Sequence, residues 1–328
     1  MAKTFRPSKA RPALPNAATR ADSGYGATAD PDWRDTNWRE HAHWADVEGK
    51  RMNYIDVGSG DGPPILFVHG LSGSWQNWLE NLPYFAQKHR CIAMDLPGFG
   101  YSEMPAEKIS MSGYARQVDS LCDHLGLDKC FVVGNSMGGF VVAEMCIRHP
   151  QRVERACLVA AAGISVTNLR RRPLLTGARI VGALGAASAA QNRFIVARPR
   201  LRWLFTNFVF RHPSRLAADL MYEQVRGAGK PGLYDAMDAL TSYDFRDRLP
   251  EIKAPTLIVW GDSDMLVPVE DAHEFERLIP QSRTVILEDT GHVPMLERPV
   301  KFNELLEELI EGRGVGAETG PEEQVTAA

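Results

Sequence analysis

The sequence has few cysteines and no long apolar runs. Only five of its 328 residues are cysteine, an odd number, and no two of them are spaced like metal ligands. This usage favours reduced, buried thiols in a cytoplasmic protein over a disulfide framework. No run of about 20 uncharged apolar residues is present, so no transmembrane helix is predicted.

Acidic residues are missing from one long stretch. Between Arg155 and Ala218 there is no Asp or Glu, whereas there are eleven Arg. Because the formal net charge of the whole chain is −4, the rest of the chain carries −15. A remainder this negative would repel phosphate, and no nucleic-acid-binding motif is recognised, so nucleic acid is disfavoured as a partner.

The two ends are also short of apolar residues. Residues 1–40 begin with a basic stretch rich in Pro and Ala and lack the apolar core of a secretory signal. They are predicted to form a disordered tail, and a transit peptide is the alternative that their Arg content leaves open. Residues 313–328 are predicted to form a second tail.

Between the tails, apolar runs with the length of buried strands alternate with segments of helical spacing. Such repeated βα units predict an α/β protein with a largely parallel sheet and helices on both faces. Residues 41–163 and 251–312 would form this core. Residues 164–250 are rich in Arg and aromatic residues, show helical spacing, and would be inserted between two strands.

One predicted strand leads directly into a G-x-S-x-G motif. Phe131-Val132-Val133 is followed by Gly134-Asn135-Ser136-Met137-Gly138, after which helical spacing resumes. Both glycines permit a tight turn in which a Cβ would collide with a neighbouring element. Ser136 would then be exposed above the sheet, at the positive end of a helix. The alternative is a packing turn in which Ser136 caps the helix.

A serine hydroxyl needs a base, and the base needs an acid that orients it. In this kind of fold the chain order is Ser, acid, His. Asp262 and Asp264 follow one late apolar run, and His292 follows the next. All three would lie at carboxyl ends of strands, where the sites of open α/β sheets are found. The spacing leaves both aspartates open as the acid.

Taken together, these motifs resemble those of the α/β-hydrolase superfamily. The resemblance extends from Trp44 to Ile310 and is carried by an HG pair after a strand, DLPGFGYS, GNSMGG, WGDSDMLVP and GHVPMLERP. It implies an α/β-hydrolase fold with a mostly parallel central sheet. Residues 164–250 would be the helical cap of this family.

The resemblance also implies a role for each residue of the triad. Ser136 would be the nucleophile, His292 the base and Asp264 the acid, with Asp262 as its rival in a turn. Some relatives carry the acid at the end of the preceding strand, but residues 160–163 read Ala-Ala-Ala-Gly and contain none.

Further family roles fall on the loops around the nucleophile. The backbone N–H groups of Leu71 and Met137 would form the oxyanion hole. His69 and Asp95 lie in stretches that the family uses structurally.

The activity implied is hydrolysis of a carboxylic ester through an acyl-enzyme, as in esterases and lipases, without metal or organic cofactor. One alternative is C–C bond hydrolysis of meta-cleavage products, which are vinylogous diketo acids. Enzymes of that type share GNSMGG, but they usually carry Trp after the catalytic His, where this chain has Val293. A non-catalytic ligand-binding protein of the same fold is the third reading, and an intact Ser136, Asp264 and His292 argue against it.

The cap should supply the walls of the substrate pocket. Trp203, Phe205 and Phe208 are its candidate substrate-binding residues. Its arginines have three interpretations: a solvated face, a site for an anionic substrate group, or a surface that contacts an anionic membrane. The expected partner is a small ester, either apolar or anionic.

Overall fold

A mixed sheet of eight strands forms the centre of the protein. The computed structural model describes residues 8–20, 24–165, 193–227 and 229–315. In chain order the strands are β1 (Ala42–Val47), β2 (Lys50–Val57), β3 (Ile65–Val68), β4 (Cys91–Met94), β5 (Cys130–Asn135), β6 (Val153–Val159), β7 (Thr256–Gly261) and β8 (Ser282–Leu287). Their spatial order is β1-β2-β4-β3-β5-β6-β7-β8. The pairs β1–β2 and β2–β4 are antiparallel and all other neighbours are parallel, which confirms the predicted sheet.

Helices cover both faces of this sheet. In chain order the described helices are α1 (Leu82–Ala86), α2 (Met111–His124), α3 (Met137–Arg148), α4 (Arg193–Ala197), α5 (Pro199–Thr206), α6 (Ala218–Val225), α7 (Leu233–Ser242), α8 (Glu270–Leu278), α9 (Pro294–Glu297) and α10 (Pro299–Ile310). Strand β3 shows why both layers are needed. Leu66 and Val68 pack in the apolar cluster under α2 and α3, whereas Ile65 and Phe67 pack in the opposite cluster with α1 and α10. Burying one such side chain stabilises the fold by roughly 1.5–3 kcal/mol.

A β-hairpin lies at one edge of the sheet. Strands β1 and β2 are joined by Glu48 and Gly49, whose φ angles are 53° and 75°. Two consecutive positive φ angles make a two-residue turn whose twist matches that of the flanking strands. The carboxylate of Asp46 accepts the N–H of Gly49 at 2.8 Å, which fixes the turn.

The insertion lies between β6 and β7, which are direct neighbours in the sheet. Its described part, residues 164–165, 193–227 and 229–250, contains the helices α4 to α7. Since β6 and β7 are parallel, the chain leaves the sheet at the carboxyl end of β6 and must return to the opposite end for β7. Residues 166–192, which include four of the predicted cap arginines, lie outside the described residues.

The N-terminal segment departs from the disordered tail that was predicted over residues 1–40. In its described part, the N–H of Ala29 and the ring N–H of Trp33 donate to the carboxylate of Glu80 at 2.8 and 3.0 Å. Further toward the start, the carbonyl of Ala13 accepts the ring N–H of Trp203 in the cap. A buried aromatic anchor, an acceptor on the core and a donor on the cap hold this segment, and composition alone does not show them.

All five thiols are buried and free, which agrees with the prediction of buried thiols without a disulfide framework. Within the ranges that the structure describes, no helix is long and apolar enough to cross a membrane. The predicted C-terminal tail is described only as far as Val315, which is buried.

Candidate active site

The turn between β5 and α3 holds Ser136 in a strained backbone conformation. Strand β5 ends at Asn135, α3 begins at Met137, and Ser136 between them has φ 56° and ψ −117°. Residues other than glycine rarely adopt such angles, and they keep them only where the surrounding structure imposes them. Strain of this kind concentrates at functional sites, and it turns this serine toward the carboxyl edge of the sheet.

The two glycines of the motif are required by close contacts on either side of this turn. A Cβ on Gly134 would lie 2.3 Å from the carbonyl oxygen of Gly138. A Cβ on Gly138 would lie 2.2 Å from the carbonyl oxygen of Val68, at the end of β3. Helix α3 can therefore begin directly against the sheet only because both side chains are absent, as the sequence pattern predicted.

The main chain of Ser136 is fully engaged. Its N–H donates to the carbonyl of Val159 at 2.9 Å, and its carbonyl accepts the N–H groups of Phe140 and Ala162 at 3.2 and 2.9 Å. The side chain is half-buried and does not cap α3. The hydroxyl is therefore not used as a helix cap, which was the alternative reading of the motif.

The structure brings His292 and Asp264 together. The Nδ1 atom of His292 lies 2.7 Å from Oδ2 of Asp264, and both side chains are buried. The other carboxylate oxygen of Asp264 accepts the N–H groups of Leu266 and Val267 at 2.8 and 3.0 Å. An ionised carboxylate only accepts, so in a neutral imidazole this contact requires the proton on Nδ1 and leaves the lone pair of Nε2 for a proton from elsewhere.

Asn135 links the nucleophile turn to the loop of the base. Its side-chain amide donates to the carbonyl of Val159 at 3.1 Å and to the carbonyl of His292 at 3.2 Å. Ser136 is the next residue in the chain. The elbow and the His292 loop are thus held side by side at the carboxyl ends of β5 and β8.

Asp262, the rival acid, lies apart from the histidine ring. It is exposed, and its carboxylate accepts from the hydroxyl of Ser263 at 2.8 Å and from the N–H of Thr290 at 3.4 Å. These contacts are those of a turn residue. The geometry therefore favours Asp264 over Asp262 as the partner of His292.

Met137 and the loop that contains Leu71, the two residues predicted to form the oxyanion hole, lie close to Ser136. Met137 is the first residue of α3, so its N–H has no acceptor within the helix. A Cβ on Gly70 would lie 3.1 Å from the Cβ of Ser136, which shows how closely the loop that contains Leu71 passes the nucleophile. The helix end adds a positive partial charge at the same place.

His69 and Asp95 support the turns around the site. The buried ring of His69 accepts the N–H of Leu96 at 2.9 Å, and burial lowers its pKa to about 4. The carboxylate of Asp95 accepts the N–H groups of Trp75 and Tyr101 at 2.8 and 2.9 Å, and burial raises its pKa to about 6. Both side chains are occupied with main-chain groups, in line with the structural roles predicted for them.

The cap touches the base directly. The backbone N–H of His292 donates to the carbonyl of Val209 at 2.9 Å. Of the three predicted substrate-binding residues, Phe208 is half-buried and adjoins this contact. Trp203 is bound to the N-terminal segment and Phe205 packs against the apolar cluster of α1 and α10. Of the three, only Phe208 is next in sequence to the cap residue that contacts the base loop.

Several cap arginines are already committed to partners within the protein. Arg202 and Arg215 donate to main-chain carbonyls, and Arg211 donates to Asp289 at 2.7 Å. Arg198 is exposed. Binding of an anionic substrate group by the cap therefore stays a prediction, and so does contact of the cap with an anionic membrane.

Two contacts of the base were not predicted from the sequence. One is the carbonyl of Val209, a main-chain group that carries no residue-specific signal. The other is the carboxylate of Glu297, which accepts the N–H groups of Gly291 and Val293 on either side of His292. An acid directly after the apolar residues Pro294 to Leu296 of the GHVPMLERP motif was the available signal for a buried carboxylate.

Metal ligands are not grouped in the described part of the chain: no three His, Cys, Asp or Glu side chains there are placed to hold one ion.

A strained serine after a parallel strand, a buried His–Asp pair and backbone donors, all at one edge of the sheet, define the class of hydrolases with a nucleophile elbow. The family model described as "alpha/beta hydrolase fold" matches residues 63–299. The chain belongs to this family.

Individual relatives differ in their reactions. The dihydrolipoyllysine-residue acetyltransferase component of the acetoin cleaving system of Pseudomonas putida is 28% identical over 269 residues, which cover 79% of this chain and 66% of that protein. The chain thus spans just under two thirds of that relative. The 2-hydroxymuconate semialdehyde hydrolase of Pseudomonas sp. (strain CF600) is 27% identical over 277 residues, covering 80% of this chain and 91% of that one.

A solved structure supports the same fold. The crystal structure of a membrane phospholipase A, described as a novel bacterial virulence factor, superposes with a TM-score of 0.63 at 26% identity. The match covers 83% of this chain and 86% of the phospholipase.

Proposed function

We propose that the protein is a serine hydrolase that cleaves a carboxylic ester through an acyl-enzyme. The observation that carries the proposal is the 2.7 Å contact between Nδ1 of His292 and Asp264, in a loop tied to the strained Ser136 turn. A serine, an oriented imidazole and a buried carboxylate in this chain order are the parts that nucleophilic acyl transfer needs.

In the first half of the reaction, Nε2 of His292 takes the proton of the Ser136 hydroxyl as its oxygen attacks the carbonyl carbon. Asp264 holds the ring in the required tautomer and stabilises the imidazolium that forms. The proton then passes from Nε2 to the leaving alcohol, and the acyl group stays on Ser136. In the second half, Nε2 of His292 takes a proton from water as the water oxygen attacks the acyl carbon. The bond between Ser136 Oγ and the acyl carbon then breaks, His292 returns its proton to Oγ, and the acid is released.

The negative oxygen of each tetrahedral intermediate would be held by the N–H groups of Leu71 and Met137. Backbone donors fixed before the reaction do not reorganise as charge develops, and the loss of one such donor commonly reduces turnover by about 100- to 1,000-fold. The positive end of α3 would add to this stabilisation.

Ester cleavage is favoured by the similarity to a phospholipase A and by Val293 in the position after His292. The similarity to a 2-hydroxymuconate semialdehyde hydrolase favours C–C bond hydrolysis as the second candidate. That reaction calls for a cation facing the substrate carboxylate. Arg202, Arg211 and Arg215 are bound to protein acceptors and are not free for this role. Arg193, Arg198 and Arg200 are exposed and leave it open.

The test is a panel of p-nitrophenyl esters of graded chain length, assayed beside a meta-cleavage ring-fission product. Wild type, Ser136→Ala and His292→Ala are compared. The proposal expects ester turnover by wild type only, with an optimum at one acyl length. Turnover of the ring-fission product without ester turnover would replace it by C–C bond hydrolysis. Equal ester turnover by Ser136→Ala would reject the assigned nucleophile.

A further inference from the structure

We propose that Glu297 is a positioning residue that holds the loop of His292 in register with the cap. This inference rests on the proposed function, in which His292 is the catalytic base. It concerns a carboxylate that touches neither substrate nor nucleophile, and it acts through the main chain of the base loop and of the cap.

Glu297 is the last residue of α9 and has no exposed surface. Its Oε2 accepts three hydrogen bonds, from the Tyr25 hydroxyl at 2.6 Å, the Arg211 N–H at 2.8 Å and the Gly291 N–H at 3.0 Å. Its Oε1 accepts the N–H of Val293 at 3.2 Å. One side chain thus binds the base loop twice, the cap once and the N-terminal segment once.

The backbone N–H groups of three consecutive residues, from Gly291 to Val293, all have acceptors. Those of Gly291 and Val293 reach Glu297, and that of His292 reaches the carbonyl of Val209 in the cap. A Cβ on Gly291 would lie 2.8 Å from both the Arg211 nitrogen and the Val209 oxygen. Base loop and cap therefore meet backbone to backbone, and Glu297 bridges them.

Only a carboxylate meets this set of donors. It offers acceptor sites on two oxygens and carries no donor of its own when ionised. A glutamine of the same shape has one oxygen and one NH₂ group. If that oxygen keeps the three donors of Oε2, the NH₂ group must face the N–H of Val293. Two donors then oppose each other directly after His292, and the loop must shift.

Burial of a charged carboxylate costs solvation free energy, so packing alone does not explain a glutamate at position 297. Burial raises the pKa of Glu297, and the hydrogen bonds from Tyr25 and from the main chain oppose the rise. The charged and titratable groups around it are Arg298, whose guanidinium lies over the Tyr25 ring, and the cluster of Arg211, His212 and Asp289. An apolar side chain would fill the same space without these costs.

The experiment compares Glu297→Gln with Glu304→Gln, an exposed position on the following helix that serves as the matched control. The kcat and KM for the best ester of the panel and the downfield proton resonance of the His292–Asp264 hydrogen bond are measured. We expect kcat of Glu297→Gln to fall by about 10- to 100-fold, because a shift of about 1 Å at a catalytic group costs this much. KM should stay within about twofold, and the downfield resonance should move or broaden. Glu304→Gln should match wild type.

If Glu297→Gln does not fold, Tyr25→Phe takes its place, since it removes one of the four donors and keeps the carboxylate. It should lower kcat severalfold and shift the same resonance. Wild-type kcat and an unmoved resonance in a folded variant would overturn the inference. The proton resonance needs no substrate. An enzyme without ester turnover would therefore reject the proposed function, while a resonance that responds to Glu297→Gln would still support the positioning role.

Discussion

Replacement of Asp264 by Asn tests how the base is oriented. The Oδ1 atom of Asp264 accepts two backbone N–H groups, from Leu266 and Val267, while Oδ2 faces Nδ1 of His292. The single oxygen of an Asn side chain would keep the two backbone donors. Its NH₂ group would then face Nδ1, which must give up its proton to avoid a contact between two donors. Nε2 would become protonated and could no longer accept the proton of Ser136.

The size of the loss separates this tautomer effect from simple loss of charge. Loss of one charge-assisted hydrogen bond to the ring would cost about 1.5–3 kcal/mol of transition-state stabilisation. At about 1.4 kcal/mol per tenfold change, this would slow turnover by about 10- to 150-fold. A base locked in the wrong tautomer loses about 10⁴-fold. We therefore expect kcat/KM for a p-nitrophenyl ester at neutral pH to fall by about four orders of magnitude in Asp264→Asn.

Asp262→Asn is the matched control, because that carboxylate is exposed and lies two residues away. Its kcat/KM should stay within about threefold of wild type, and the melting temperatures of both variants show whether they are folded. A loss of less than tenfold in a folded Asp264→Asn would refute the orientation argument. A loss of kcat/KM that is larger in Asp262→Asn than in Asp264→Asn would show that the acid is assigned to the wrong residue.

Three further predictions concern stability and reactivity. Gly138→Ala places a Cβ 2.2 Å from the carbonyl of Val68, so the free energy of unfolding in urea should fall by about 1–3 kcal/mol; an unchanged value would contradict the close approach. Burial raises the pKa of Asp289, but hydrogen bonds from Arg211, the Arg20 N–H and His212 outweigh it and bring the pKa to about 2. This pKa lies below the unfolded value of about 3.9, so the stability that Asp289 contributes is present above pH 3.9 and is lost as the pH falls toward 2. The difference in unfolding free energy between wild type and Asp289→Asn should therefore shrink from pH 4 to pH 2. A difference that stays constant would contradict the lowered pKa. The five buried cysteines should resist a thiol reagent until the protein unfolds, and a fast reaction in the native state would contradict their burial.

Much of the sheet and of the site was predictable because local patterns encode it. Ile65 to Val68 form a continuous apolar run because β3 is buried on both faces. The glycines around Ser136 stand where a Cβ would strike the main chain. These constraints act between neighbours in the chain or require one residue type, such as glycine, so they can be read from the sequence.

Other parts were not predictable because they depend on contacts distant in the chain. The partners that hold the N-terminal segment are side chains of the core and the cap, such as Glu80, which accepts, and Trp203, which donates. The carbonyl of Val209 belongs to the main chain, and any residue at that position could supply it. Composition read over the first residues predicted disorder for this reason, although Trp33 provides a buried anchor.

The central claim is that Ser136 forms the covalent intermediate. A fluorophosphonate reacts with a serine whose hydroxyl is activated by an adjacent base, and the adduct can be located by peptide mass spectrometry. We predict one adduct per chain, on the peptide that carries Ser136, and none in Ser136→Ala. A wild-type protein that stays unlabelled, or a Ser136→Ala variant that is labelled equally, would contradict the claim.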